Sequence, residues 1–366
     1  LWHYPIFAFD KLTEFSQGEI FLKVLLGILI IILSTASYFL IERPARNKNN
    51  KFKIVFINIF LIYFFLIISN VVILNTIPKY FEENLGTNFK SIPTTKNCIK
   101  DKYGDLKCSL NFKINKKKVY LIGDSHIRSI SLDLKDRIIK KDYELNRIVE
   151  NLCFLFREFD FISKKTKKKK CEKYNLIDKI FKEENSIFII AGRFPVHLNK
   201  TYFDNKEGGV ELSNFEDRYV RKGIYDSIES SFSSEILNLS KKNYVILVYP
   251  IPEIGWNFPQ KLFNQLPKKF SPFNLYIPKD YITTSYEVYK NRTKSSFELF
   301  NSIQSDNIYR VYPHKLFCNT TIKNRCLTHN DKNIFYADNN HPSVKGSKMI
   351  NDLIMKEIEK IELKLN

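Results

Sequence analysis

No Cys-x-x-Cys pair, no internal repeat and no recognisable nucleic-acid-binding module occurs in this 366-residue chain. Without paired thiols, and with histidines that do not flank the cysteines at zinc-ligand spacing, no metal site is expected. Without a nucleic-acid module, the formal charge of +19 describes a lysine-rich surface, not a nucleic-acid partner. No small-residue cleavage site follows the apolar runs near the start, which argues against a removable signal peptide. Cysteine is absent before Cys98.

Two long apolar runs are present. Ile20 to Ile41 carries one charge, Lys23, and Ile54 to Leu74 carries none. Each is about 20 residues, enough at about 1.5 Å per residue to cross a bilayer core of about 30 Å. Between them, Glu42 to Lys53 holds five cations (Arg43, Arg46, Lys48, Lys51 and Lys53) against Glu42 alone. The positive-inside bias assigns that loop to the cytoplasm, so the chain after about Asn75 is expected on the far side of the membrane. All six cysteines lie there, in three local couples: Cys98 with Cys108, Cys153 with Cys171, and Cys318 with Cys326. An even count in an exported domain favours disulfides, although the spacing alone leaves the connectivity open.

After a linker carrying Pro78 and Pro93, strand and helix signals alternate. Strands are expected at Val119–Ile122, Glu144–Val149, Ser186–Ala191, Tyr244–Tyr249 and Ile308–Val311. Helices are expected at Ile127–Ile139, Tyr174–Phe181, Ile224–Leu239, Tyr286–Ile303 and Ser343–Leu363. Such alternation predicts an α/β domain with a mainly parallel sheet covered on both faces. Lys164 to Lys170 reads as a solvated loop, and Pro252 to Tyr281 as a long connection of the kind that borders substrates.

Val119 to Ile122 runs straight into Gly123-Asp124-Ser125-His126, which places a hydroxyl just past the carboxyl end of a strand. A serine is a weak nucleophile until a histidine takes its proton, and a carboxylate fixes that histidine's tautomer. Asp338 and His341, three apart in the loop before the last helix, supply those roles. Ser125, Asp338 and His341 are therefore the candidate catalytic residues. Asp124 and His126 are expected to be framework.

These residues carry a family resemblance. Gly123 to His126, together with Asp338-Asn339-Asn340-His341-Pro342-Ser343, resemble the first and last motifs of the SGNH (GDSL-type) hydrolase superfamily. Leu1 to Pro5 and Tyr38 to Arg46 resemble the closing motifs of the acyltransferase-3 membrane domain. The combined order resembles bacterial polysaccharide O-acetyltransferases of the OafA type. The resemblance implies a flavodoxin-like three-layer α/β/α domain with a parallel sheet, preceded by transmembrane helices. Residues 1–46 would close the acyltransferase-3 domain, with a span at about 20–41. Residues 47–75 would form a cytoplasmic loop and an extra helix (54–74), 76–115 a periplasmic linker, and 116–366 the SGNH domain.

The implied activity is transfer of an acyl group, usually acetyl, from cytoplasmic acyl-CoA through the membrane domain to a hydroxyl of a surface glycan. No bound cofactor is expected, acetyl-CoA being the donor. The expected location is a bacterial inner membrane, multi-pass, with the C-terminal domain in the periplasm. Because the chain starts inside the membrane domain without a methionine, it is expected to be part of a longer transferase whose earlier spans are its missing partner. The superfamily's Gly-x-Asn-Asp block is absent; the matching strand end reads Ala191-Gly192-Arg193-Phe194. The oxyanion candidates are accordingly the backbone N–H of Ser125 and the side chain of Arg193, the latter with a plain salt-bridge role as its alternative. The family's glycine block is expected in the loop at Asn151 to Cys153. Two other readings stand beside transfer: a membrane-tethered carbohydrate esterase, and a non-catalytic glycan-binding module.

Overall fold

A computed structural model describes residues 2–13, 20–46, 56–57, 60–61, 63–64, 67–68, 97–100, 106–110, 117–150, 153, 158–164, 166–171, 180–211, 215, 217–264 and 281–365. The chain divides into two compact units, Leu1–Asn84 with Phe263–Gln265, and Leu85–Leu262 with Leu266–Asn366.

In the first unit, α1 spans His3–Thr13 and α2 spans Ile20–Ser37. The apolar side chains of α2 point outward, from Ile20 to Ile32, and Leu26 is its buried residue. By length and composition α2 suits a bilayer. A single π-turn, Tyr38–Glu42, follows and leads into α3 (Arg43–Arg46). Pro44 has no N–H to give to the preceding turn, and Arg43 N donates to Tyr38 O instead, which is the wider register. Trp2 Nε1 donates to Ser37 Oγ at 3.2 Å, tying the start of α1 to the end of α2. Most of the second expected span, 54–74, lies outside the described residues.

The second unit is built on a seven-stranded sheet in the order β1-β2-β4-β3-β7-β9-β11. Its parallel strands are β3 (Lys118–Gly123), β4 (Glu144–Val149), β7 (Ile187–Ala191), β9 (Tyr244–Val248) and β11 (Ile308–Val311). Numbered among themselves they run 2-1-3-4-5, so the order reverses between β3 and β7. In such sheets ligands bind beyond the strand ends at the reversal. β7, β9 and most of β3 are continuous apolar runs because both faces are covered. Alternate residues Tyr120, Ile122, Phe188, Ile190, Val245 and Leu247 pack with α6 (Ile228–Ser240) and α8 (Tyr286–Ser302). Against the other face lie α4 (Ser125–Lys140) and α10 (Val344–Leu365), joined by Ser347 Oγ donating to Ser129 O and Asn351 Nδ2 donating to Ile130 O. Phe194, Phe232 and Phe300 meet ring to ring, with centroids 4.6 to 5.7 Å apart and no exposed surface. Each such ring contributes about 1.5–3 kcal/mol through burial.

The alternation of signals is borne out, with local differences. β1 (Cys98–Lys100) and β2 (Leu106–Cys108) form an antiparallel hairpin on the β4 edge, inside the stretch expected to be linker. The Cys98–Cys108 disulfide closes that hairpin. α6 starts at Ile228 rather than Ile224, because Ser227 and Ser230 form a reciprocal capping box. The long connection after Pro252 holds a helix, α7 (Phe258–Asn264); 265–280 lie outside the described residues, as does most of the helix expected at 174–181.

The last two lysines of the run belong to a second sheet, while Lys164 and residues 166–168 are exposed loop as expected. β5 (Phe159–Ile162) pairs antiparallel with β6 (Lys169–Lys170) and β8 (Arg218–Arg221). Lys169 pairs with Asp160 at 2.6 Å, and Lys170 pairs with Asp217. Two further short strands, β10 (Thr283–Ser285) and β12 (Arg325–Leu327), pair beside the Cys318–Cys326 disulfide. The third disulfide joins Cys153 to Cys171, so all three local couples are bonded.

The short helix α5 (Phe194–Asn199) turns His197 into the second sheet, among Phe161, Phe215 and Tyr219. Tyr219 Oη and His197 Nδ1 are hydrogen-bonded. Burial, with Arg193 and Lys170 nearby, lowers the His197 pKa to about 3. The unfolded chain therefore binds a proton that the folded chain refuses, and stability falls as pH drops below about 6.5, the loss growing until about pH 3. His197→Gln removes that proton. Urea titrations between pH 6 and 4 should show a pH slope shallower than that of the unmodified chain by about 1.4 kcal/mol per unit; equal slopes would contradict the assignment.

Candidate active site

The residues that end β3 are shaped by the strand beside them. Gly123 pairs with Ala191 and has φ +152°; a Cβ there would stand 1.8 Å from the Ala191 carbonyl oxygen, so glycine is required for the two strands to close. Asp124 follows with no exposed surface. Its Oδ1 accepts from His126 N at 2.8 Å, capping α4, and its Oδ2 accepts from Arg193 N at 2.9 Å. One carboxylate thus ties together the ends of the two strands between which the sheet reverses. Ser125 is the first residue of α4, where the positive end of the helix favours developing negative charge.

The loop before α10 comes to meet it. Asp338 Oδ1 accepts from the backbone N–H of Asn340 at 2.9 Å and of His341 at 2.8 Å, a tight turn that leaves Oδ2 facing the imidazole. His341 Nδ1 lies 2.7 Å from that Oδ2, and His341 Nε2 lies 2.8 Å from Ser125 Oγ. Burial would raise the Asp338 pKa, but the hydrogen bond and charge of His341 and the two backbone N–H groups outweigh it and hold the carboxyl below its usual range. An ionised carboxylate only accepts, so Nδ1 carries the proton and Nε2 offers its lone pair to the serine hydroxyl. Ser343 then starts α10: its Oγ donates to Ile334 O and accepts from Gly346 N.

Arg193 is placed differently from its oxyanion expectation. Its side chain is buried and fully engaged: Nε donates to Glu253 Oε1 at 2.6 Å, and Nη1 and Nη2 donate to Glu211 at 3.1 and 2.5 Å. Glu253 also accepts from Arg292 Nε at 3.1 Å. Burial alone would raise the Glu253 pKa; the charges of Arg193 and Arg292 reverse that and keep it ionised. The guanidinium is therefore in its salt-bridge role. Through Glu211, which accepts from Asn339 Nδ2 at 2.9 Å, the cluster reaches the loop that carries Asp338 and His341. The same loop is held by Asn339 O, which accepts from the N–H groups of Ile254 and Gly255, each at 2.9 Å.

Over residues 94–356 the chain matches the family described as the SGNH domain fused to AT3 domains. The chain belongs to that family. Among solved structures, it is similar to the periplasmic domain of a lipopolysaccharide acetyltransferase from Salmonella ser. Paratyphi A, with 19% identity and a TM-score of 0.46 over 67% of this chain and 85% of that one. It is also similar to a possible lipase from Chitinophaga pinensis, with 12% identity and a TM-score of 0.32 over 67% of this chain and 99% of that one. No curated protein matches. The assignment rests on the family match, and with it the SGNH domain has an acyl-transfer or esterase-type role. The family's fusion to AT3 domains, the three disulfides and the apolar α2 point to a membrane-anchored, extracytoplasmic domain.

Within this SGNH domain, the strand end that lacks the Gly-x-Asn-Asp block holds a largely buried cluster of two arginines and two glutamates, with Glu211 half-buried. Sequence reasoning missed Glu211, Glu253, Arg292 and Asn339. Glu253 alone left a signal, a carboxylate set among Ile251, Pro252 and Ile254 just past a buried strand. The loop at Asn151 and Leu152 lies outside the described residues. Removing one member of a buried charge cluster strands the others and costs about 3–5 kcal/mol. Arg193→Met should lower the urea midpoint accordingly; an unchanged midpoint would mean that the cluster is not buried as described.

Proposed function

We propose that this SGNH domain transfers an acyl group, usually acetyl, to a hydroxyl of a cell-surface polysaccharide or other glycan, with Ser125, His341 and Asp338 as its catalytic residues. The observation that carries the reading is the hydrogen-bonded sequence Asp338–His341–Ser125, closed at 2.7 and 2.8 Å at the start of a helix. His341 Nε2 takes the Ser125 proton as Oγ adds to the acyl carbonyl. The oxyanion forms beside the Ser125 N–H, and the positive end of α4 favours it. Collapse expels the donor group, which leaves with the proton from His341, and an ester remains on Ser125. A glycan hydroxyl then gives its proton to Nε2 and attacks that ester, and the second collapse returns a proton to Ser125. Asp338 stays ionised throughout and stabilises the imidazolium.

In this reading the donor is cytoplasmic acetyl-CoA, and the acyl group crosses through an acyltransferase-3 membrane domain, whose closing motifs residues 1–46 resemble. Residues 47–75 would complete the passage through a bacterial inner membrane, and the SGNH domain would work in the periplasm. Fusion to AT3 domains in the matched family favours a glycan hydroxyl over water as the acceptor. If water enters instead, the same two steps make an esterase.

Ser125→Ala, in the protein expressed with its membrane domain, should abolish glycan acetylation, read by NMR of the purified polysaccharide. In residues 1–366 alone, the same change should slow cleavage of p-nitrophenyl acetate by about 10³-fold or more. Acetylation that persists would remove Ser125 from the mechanism, whereas Ser125-dependent loss of acetyl groups from the glycan would turn the reading to an esterase.

A further inference from the structure

His126 directly follows Ser125, and Asn340 directly precedes His341. Their side chains also meet: His126 Nε2 lies 3.1 Å from Asn340 Oδ1, fully buried, alongside the Ser125–His341 contact. The helix that bears the serine and the loop that bears the histidine are thus joined twice, at adjacent positions. The two imidazole rings stand edge to face with centroids 5.4 Å apart.

The direction of these hydrogen bonds is set from the Arg193 cluster. Glu211, paired with Arg193, only accepts, and takes a proton of Asn339 Nδ2. Asn339 Oδ1 then accepts from Asn340 Nδ2 at 2.8 Å, so the group that Asn340 turns to His126 is its carbonyl oxygen. His126 must therefore donate from Nε2. Its Nδ1 is the bare nitrogen, buried and without a hydrogen-bond partner among the described residues, so a second proton would have no acceptor there. Burial accordingly pushes the His126 pKa down; His341 and Arg193 push the same way, against Asp124 and Glu253. A neutral His126 leaves the positive charge of the reaction to His341.

We propose that His126 and Asn340 are positioning residues for this site, their hydrogen bond clamping the Ser125 helix to the His341 loop and setting the approach of Nε2 to Oγ. The proposal rests on the Ser125 reading above. A misplacement of about 1 Å can cost on the order of 10²-fold in rate, so a clamp one residue from both reacting groups acts on kcat.

The test is cleavage of p-nitrophenyl acetate by the chain and its His126→Leu, His126→Gln, Asn340→Ala and His126→Leu/Asn340→Ala variants. Circular dichroism melting reports folding, and an organophosphonate reports Ser125 reactivity. His126→Leu and Asn340→Ala should each lower kcat about 10- to 100-fold with KM little changed, and slow Ser125 labelling in step. The double variant should be no slower than the slower single one. His126→Gln keeps an N–H donor near the Nε2 position and should recover most of the rate. A folded His126→Leu chain with unchanged kcat, losses that multiply in the double variant, or a His126→Gln rate as low as that of His126→Leu would each overturn the clamp. Should His126→Leu not fold, Asn340→Ala and Asn340→Ser decide the matter alone, and unchanged kcat in both overturns it. If Ser125→Ala cleaves as fast as the unmodified chain, the Ser125 mechanism itself fails. Ser125-dependent cleavage indifferent to His126 and Asn340 removes only this inference.

Discussion

A serine hydroxyl becomes a nucleophile only when a base is brought to it, and in the proposed mechanism that base, His341, comes from 216 residues further along the chain. The hydrogen bond between His341 Nε2 and Ser125 Oγ is where the two ends of the domain must agree. Much of the architecture serves this meeting. The sheet reverses its order between β3 and β7, which opens a crevice at their carboxyl ends. Gly123 lets β3 close on β7, Asp124 ties the two strand ends, and α4 and α10 lie side by side so that the loop before α10 reaches the start of α4.

Beneath the reacting groups lies a charged layer. Arg193, Arg292, Glu211 and Glu253 are a costly thing to bury, and well-packed apolar residues would serve stability as well. What the cluster adds is direction. Because Glu211 only accepts, each side-chain amide above it is oriented, first Asn339 and then Asn340, and that order ends at His126. The strand end where the superfamily's Gly-x-Asn-Asp block would sit therefore acts on the loop through charge and hydrogen bonds. With the Arg193 side chain committed to carboxylates, the Ser125 N–H is the oxyanion donor that the proposed mechanism retains.

The parts that could be read from sequence were those with a local signature. β7 and β9 are unbroken apolar runs, and Ser125, Asp338 and His341 sit in short motifs where the strand end and the turn can be recognised. β1 and β2 could not, because each is three residues long at a sheet edge and shows too short a pattern to tell from linker. β6 was hidden inside a lysine run whose pairing with β5 depends on a partner several residues away. The charge cluster was hidden for a related reason. Arg193 finds Glu211 at 18 and Glu253 at 60 residues' separation, and only the folded chain selects those carboxylates from the other acidic residues.

The central claim is that Ser125 carries the acyl group between donor and acceptor. It is tested most directly by mixing the chain with p-nitrophenyl acetate, quenching in acid before turnover is complete, and locating the acetyl group by peptide mass spectrometry. The account predicts an acetyl ester on the peptide containing Ser125, absent in Ser125→Ala and accumulating when the acceptor step is slowed. Rapid ester cleavage with no acetyl on Ser125, or with acetyl on another side chain, would contradict it.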